Sequence, residues 1–388
     1  MRGFFIGLTS GAVLGYVAVR TQEALAEARE HAPQLEPDPR AYGALRRALM
    51  LAGMGRSLAV LAIAAYALGP RLEPKGEREP RSRRMAIVAA GLTAATVLEL
   101  PVDYVEEIAL ERRYGLTKQS DGAWLADRAK SAAVTLGIAV PLIELLATAI
   151  ERAPRAWPVV ATAASFPLLV LANVVAPTFI APLFNRFEPL QSELTGDIRA
   201  LATRYGAGDA TILRVDMSRQ TEKANAYVTG LLGTKRIVIG DTLIDRFEPA
   251  ETLFVVAHEL GHYVNRDVWR GVSLGTFAAA LVFFGARAIA ERAGRPLASG
   301  SGLARLFFGF SLVGTLVGPP LAAFSRARER AADTFALEAT GDGSAGAAAF
   351  ERLRERNLAE DQQPKWMELL FSSHPSLHSR IARLKTAS

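Results

Sequence analysis

A chain of 388 residues is long enough for two or three soluble domains, but half of it is hydrophobic and its mean hydropathy is positive, which points to a membrane protein instead. It contains no cysteine, so disulfides, thiolate metal ligands and thiol nucleophiles are excluded, and any metal must be held by His, Asp or Glu. The formal net charge of +6 comes from basic residues scattered among acidic ones in short connections and at the ends of apolar runs, a pattern that suits lipid headgroups and argues against nucleic acid as a partner.

A hydrocarbon core about 30 Å thick needs about 20 apolar residues per helix. Seven stretches approach that length, near 4 to 19, 48 to 68, 85 to 101, 131 to 150, 156 to 176, 272 to 289 and 303 to 324. So many long runs, with charges mostly at their ends, predict a predominantly α, seven-helix polytopic protein whose first partner is the lipid bilayer. The first run, preceded by Met1 and Arg2 and followed by Ala24-Leu25-Ala26, reads as a cleaved signal peptide or as a retained anchor. Its glycines and the lack of a compact cleavage site after Val19 favour the anchor. Arg56 and Glu144 fall within apolar runs and are expected to face protein or internal water, because a charge facing lipid is costly. Connection charges leave the orientation open: Arg71, Lys75, Arg78, Arg81, Arg83 and Arg84 occupy one, and Arg20, Arg29, Arg40, Arg46 and Arg47 the one before it.

After Pro177 the pattern turns mixed and polar. An amphipathic helix is predicted near 190 to 206, then strands over Thr211 to Val215, Ala224 to Leu232 and Lys235 to Ile239, with Gly233-Thr234 as a hairpin turn. Four regions are expected: five spans over 1–176, a soluble region over 177–271, a membrane hairpin over 272–324, and a largely helical soluble segment over 325–388.

The run from Thr252 to Val264 follows Pro249, a favourable helix-start residue, and contains His258-Glu-Leu-Gly-His262. Two histidines four apart on a helix point from one face to one point, which suits zinc, and Glu259 can reach the open coordination position as a general base. Zinc needs a third ligand, and the segment from Ser325 to Phe335 offers Glu329, with Asp333 one turn later to orient a ligand imidazole. Taken alone that segment reads equally well as an exposed helix whose arginines pair with nearby acids. Topology decides between them: two spans separate His262 from Glu329, so the chain leaves the metal side and returns to it.

With these motifs in place, the chain resembles the type I CAAX prenyl protease family, seven-span membrane gluzincins. The resemblance rests on the motif around His258, the Glu329-Arg-Ala-Ala-Asp333 helix, Asn225-Ala-Tyr-Val-Thr-Gly230 and Lys235-Arg-Ile-Val-Ile239. Upstream it takes in Leu100-Pro-Val-Asp-Tyr104, Arg113-Tyr-Gly-Leu-Thr-Lys-Gln119 with Trp124, and the segment from Pro177 to Phe187; downstream it takes in Ser373-His-Pro375 with Arg380-Ile381. It implies a zincin-like protease region with a small hairpin or sheet, one zinc ion per chain, and peptide or membrane-protein substrates. It also nominates His374 as an oxyanion donor, with Arg380 as its neighbour or as a clamp on substrate. The strand carrying Asn225 and Ala226 is expected to bind substrate main chain as an added antiparallel strand.

A bacterial inner membrane is the expected location, with the site toward the cytoplasm. The competing reading is a non-catalytic zinc-containing scaffold or chaperone-like protein. Glu259 argues against it, because a purely structural zinc site is usually closed by four protein ligands. His31 and His378 have no supporting constellation and read as surface residues.

Overall fold

The computed structural model of the protein describes residues 38–72, 79–231, 233–292 and 296–387. The predicted first span, His31 and Leu232 lie outside them.

The apolar runs form long helices. α1 (Pro39–Ala62) starts at Asp38, whose carboxylate accepts from the Arg40 and Ala41 N–H groups, and it continues through a π turn over Ile63–Leu68. α2 (Arg81–Tyr104) contains Pro101 and likewise passes into a π turn over Val105–Ala109. α3 (Asp121–Arg152) is capped by the Ser120 side chain, and α4 (Trp157–Val175) carries Pro158 in its first turn, where no N–H is missed.

The soluble region follows as β1 (Phe187–Pro189), α5 (Leu194–Arg204), β2 (Thr211–Val215), β3 (Ala226–Thr229), β4 (Arg236–Gly240), α6 (Asp241–Ile244) and α7 (Pro249–Val264). The chain then makes its last hairpin, α8 (Asp267–Glu291) and α9 (Gly300–Thr340), and ends in α10 (Gly343–Arg356), α11 (Lys365–Phe371) and α12 (Leu377–Thr386).

Among the described residues six helices are long and apolar enough to cross a membrane: α1 to α4, α8 and α9. Little of their apolar surface is buried within the protein, and Leu145, Phe179, Phe277 and Leu316 project outward, as lipid contact requires. The charges at Arg56 and Glu144, expected to avoid lipid, are paired. Arg56 donates from Nε to Glu99 Oε2 at 2.7 Å, and the buried Arg84 reaches Glu144 at 2.6 Å and the Ala298 carbonyl at 3.0 Å.

The sheet has the order β1-β2-β4-β3, with β2 and β4 parallel and both outer strands antiparallel to their neighbours. β3 and β4 form the expected hairpin, with β3 shorter than predicted and β4 shifted by one residue: Thr229 pairs with Arg236, and the intervening loop turns at Gly230 and again at the expected Gly233-Thr234, where the Thr234 N–H donates to the Leu231 carbonyl at 3.1 Å. Gly230 has φ +94°, and a Cβ there would sit 2.0 Å from the Thr234 carbonyl oxygen, so only glycine fits. β1 was not anticipated. It is three residues long and ends in proline, which leaves no alternation to read.

One core joins this region to the chain's end. Ile198 and Ala202 of α5, Ile237 and Ile239 of β4, Phe254 and Leu260 of α7, Phe350 of α10 and Leu384 of α12 are all nearly or wholly buried together. The connection between α2 and α3 docks onto it: the Glu222 N–H donates to the Leu116 carbonyl at 2.8 Å, and Thr117 Oγ1 to the Gln220 carbonyl at 2.6 Å.

Candidate metal centre

α7 is held firmly at its start. Pro249 occupies its first turn, and Glu248 and Glu251 form a reciprocal capping box, with Arg352 of α10 paired to Glu251 at 2.9 Å. Further along, α7 crosses α9 closely enough that a Cβ on Gly261 would lie 3.0 Å from Ala332 Cα and 3.1 Å from the Phe335 ring. That approach sets the two histidines of α7 against the carboxylates of α9.

His258 Nε2 lies 3.3 Å from Glu329 Oε2, and His262 Nε2 lies 3.4 Å from Glu329 Oε1. One ligand atom from each of the three residues falls within 4.8 Å of the others. The imidazoles are edge to face, with centroids 4.9 Å apart and planes at 88°.

The far side of each ring is also occupied. His258 Nδ1 is 2.9 Å from Asp333 Oδ1, and His262 Nδ1 is 2.9 Å from Asp267 Oδ2. Carboxylates cannot donate, so these contacts assign the proton to Nδ1 in both rings and leave each Nε2 with a lone pair. Two imidazole nitrogens and a carboxylate therefore face one another, and Glu329 Oε2, though near His258 and Arg380, is buried with no well-formed hydrogen bond among the described residues. Such an arrangement calls for a cation at its centre. The same carboxylates draw positive charge to His258: burial, the largest influence, pulls its pKa down, but Asp333 and Glu329 outweigh it and raise the group to about 9, so a proton competes with a metal ion for Nε2.

A second layer fixes the supports. Arg380 gives Nη2 to Asp333 Oδ1 at 2.6 Å and Nε to Oδ2 at 3.0 Å, and Arg383 gives Nη2 to Oδ2 at 2.6 Å. The Arg380 guanidinium stacks 4.0 Å over the Phe350 ring and is buried, with Nη1 3.6 Å from Glu329 Oε2. Arg328 donates from Nε to Asp267 Oδ1 at 2.6 Å.

Glu259 is half-buried, with its carboxylate near the Val228 N–H of β3; burial, the first influence, raises its pKa. β3 is an outer strand, so its free edge runs beside Glu259. Asn225 is exposed just ahead of β3, its carbonyl accepting from the Gly240 N–H at 2.9 Å, and Ala226 pairs with Ile239. His374 is exposed on the loop before α12, with Nε2 3.3 Å from Glu329 Oε1 and Nδ1 2.8 Å from Ser373 Oγ.

His258, His262, His374 and Arg380 thus meet around Glu329 with Asp333 behind His258, the free edge of β3 lies beside Glu259, and His378 stands apart, half exposed and 3.2 Å from Asp361. Sequence reasoning missed Asp267, Arg328 and Arg383. It sought a support for one histidine only. The signal for the other was a carboxylate five residues past His262, brought back by Arg266, which turns the chain in the left-handed region at φ 55°.

Fold and site together define a multi-pass membrane metalloprotease. Residues 189–388 match the model for peptidase family M48, and residues 51–186 match that for the CAAX prenyl protease N-terminal region of five membrane helices. The chain belongs to peptidase family M48, a metalloprotease family, and the His-His-Glu group is present for the metal this implies. Among proteins to which it is similar is the uncharacterized metalloprotease YhfN of Bacillus subtilis, 29% identical over 297 residues, or 74% of this chain and 69% of that one. CAAX prenyl protease 1 of Saccharomyces cerevisiae is 32% identical over 191 residues, 49% of this chain but only 42% of the yeast protein. The crystal structure of S. mikatae Ste24p shares the fold, with a TM-score of 0.70 at 24% identity, covering 84% of this chain and 80% of that one.

Proposed function

We propose that the chain is a zinc endopeptidase cleaving peptides and membrane proteins at the membrane boundary, with one zinc ion held by His258, His262 and Glu329. Two imidazoles and a carboxylate are a donor set that would suit a catalytic zinc ion. When bound, zinc supplies Lewis acidity, polarising a carbonyl and bringing the pKa of water to about 7.

The chain's own residues do the rest. The Glu259 carboxylate takes the proton of the attacking water and delivers it to the leaving amine, and burial tunes it toward that double role. His374 donates to the charge that develops on the carbonyl oxygen, as its Nε2 faces the site. The free edge of β3 takes the substrate as an antiparallel strand, with Asn225 and Ala226 at its start, so the scissile bond lies across Glu259. Asp333 and Asp267 orient the two imidazoles, and Arg380 keeps Asp333 charged and in place.

The eukaryotic relatives carry names that refer to CAAX prenyl substrates. Similarity to the Bacillus subtilis protein and an arginine- and alanine-rich composition support a bacterial inner membrane, where general endoproteolysis is the better reading. We place the site on the cytoplasmic side. Connection charges do not decide the side, since Arg112, Arg113 and Lys118 at the site end stand against Arg71, Arg81, Arg83, Arg152 and Arg155 at the far end, so residue-specific labelling is the test.

The observation that carries the proposal is the convergence of three electron-pair donors beside Glu259. In detergent-purified protein, Glu259→Gln is expected to keep its metal and lose peptide hydrolysis by about 100-fold or more. Cleavage at the unsubstituted level, or cleavage that a chelator leaves untouched, overturns the mechanism.

A further inference from the structure

One stripe of α9 meets the C-terminal segment three times. Arg326, Glu329 and Asp333 stand three and four residues apart, on one helix face. Asp333 takes Arg380 and Arg383, and Glu329 faces His374. Arg326 makes the third contact: its Nη1 donates to the carbonyls of Glu368 and Ser372, each at 2.7 Å, and its Nη2 to that of Leu369 at 3.2 Å.

These carbonyls belong to the last turn of α11 and the residue just after it, groups that a helix end leaves without internal partners. A seven-residue helix is too short to stand alone, so its end must be fixed from outside. Arg326 fixes it. A buried guanidinium is costly, and charge-assisted bonds to three carbonyls offset that cost where a lysine ammonium could not present the same planar fork.

Ser372, the outermost of the three, stands two residues before His374, and the buried Pro375 follows. The imidazole is therefore anchored on one side by a clamped carbonyl and on the other by a residue of fixed φ. A weaker tie comes from Gln363, whose Nε2 donates to Ser372 Oγ at 2.7 Å. We infer that Arg326 is a positioning residue for hydrolysis: it holds the Ser372 backbone so that His374 faces the reacting carbonyl. This inference rests on the reading of His374 as an oxyanion donor.

The test is a double-mutant cycle on a fluorogenic peptide with the detergent-purified chain, measuring kcat, KM and metal content. Arg326→Gln is expected to lower kcat by about 10- to 100-fold, less than the full loss of a donor, and to leave KM within about 2-fold. Arg326→Lys should not restore it, Gln363→Ala should lower kcat a few-fold (roughly 3-fold), and metal content should stay unchanged throughout. In a His374→Ala background neither Arg326→Gln nor Gln363→Ala should lower kcat further, because the group they position is gone. Losses that multiply in the double variants overturn the inference alone. An unchanged kcat in His374→Ala overturns the oxyanion reading and the inference with it. Should Arg326→Gln fail to fold, the Gln363→Ala cycle decides on the same criterion.

Discussion

His258 and Asp333 face each other across the α7–α9 crossing, Nδ1 to Oδ1 at 2.9 Å, and the Asp333 side chain is wholly buried. The same carboxylate is shared by two arginines, so it is held charged where an unpaired acid would be driven neutral. Asp333→Asn keeps the shape but removes the charge that makes His258 a strong donor. Its metal affinity, measured by competition with a chromogenic chelator, is expected to fall by about 10- to 100-fold. Unchanged affinity would show that the support is dispensable.

Asp267 plays the matching part for His262, through a separate helix and a separate arginine. Asp267→Asn should weaken metal binding over the same range of about 10- to 100-fold. The two supports share no partner and act on different rings, so the losses should add in free energy when combined. A double variant no weaker than either single one would mean that the rings move as a unit.

Glu329→Ala removes the third donor and leaves His258 and His262 facing a gap. Purified variant should contain well under one metal ion per chain, and its thermal midpoint should no longer respond to added zinc, whereas the unsubstituted chain is stabilised by ligand binding to the folded state. Full occupancy in the variant would put the third ligand elsewhere.

Gly261 is where α7 and α9 come closest, and the atoms a side chain would meet are the backbone of Ala332 and the ring of Phe335. Backbone cannot swing aside, so Gly261→Val should cost about 1–3 kcal/mol in stability and separate the imidazoles from Glu329. Denaturant unfolding in detergent and metal analysis should fall together. Loss of stability with intact metal affinity would show that the crossing and the site are uncoupled.

Orientation is open to a clean experiment because the chain has no cysteine of its own. Lys118→Cys, in the exposed α2–α3 connection beside the soluble region, should be shielded from an impermeant thiol reagent in intact bacteria. Arg155→Cys, exposed in the α3–α4 connection, should be labelled. The reverse pattern places the protease site outside the cytoplasm.

The site was legible where chemistry follows helical period. His258 and His262 needed only a four-residue spacing, and Glu329 was found by counting the spans that bring it back. Asp267 was hidden because its nearness to His262 depends on a left-handed turn at Arg266, which no periodicity announces. Arg326 looked like one surface arginine among three, since its partners are carbonyls 42 to 46 residues away, and backbone atoms leave no trace in side-chain patterns. In the fold, the long apolar runs announced their helices, whereas β1 is too short and too proline-bound to show an alternation.

Helix α9 runs unbroken from Gly300 to Thr340, through Pro319 and Pro320, and delivers Glu329 on the same rod that crosses the bilayer. Each residue of such a rod advances about 1.5 Å and rotates about 100°. A single insertion between Pro320 and Arg328 would swing the carboxylate a quarter-turn away from its imidazoles, and three or four would be needed to bring it round again, a full turn too far along. The number of residues between Pro320 and Glu329 is thereby fixed by the meeting of Glu329 with His258 and His262 as much as by lipid thickness.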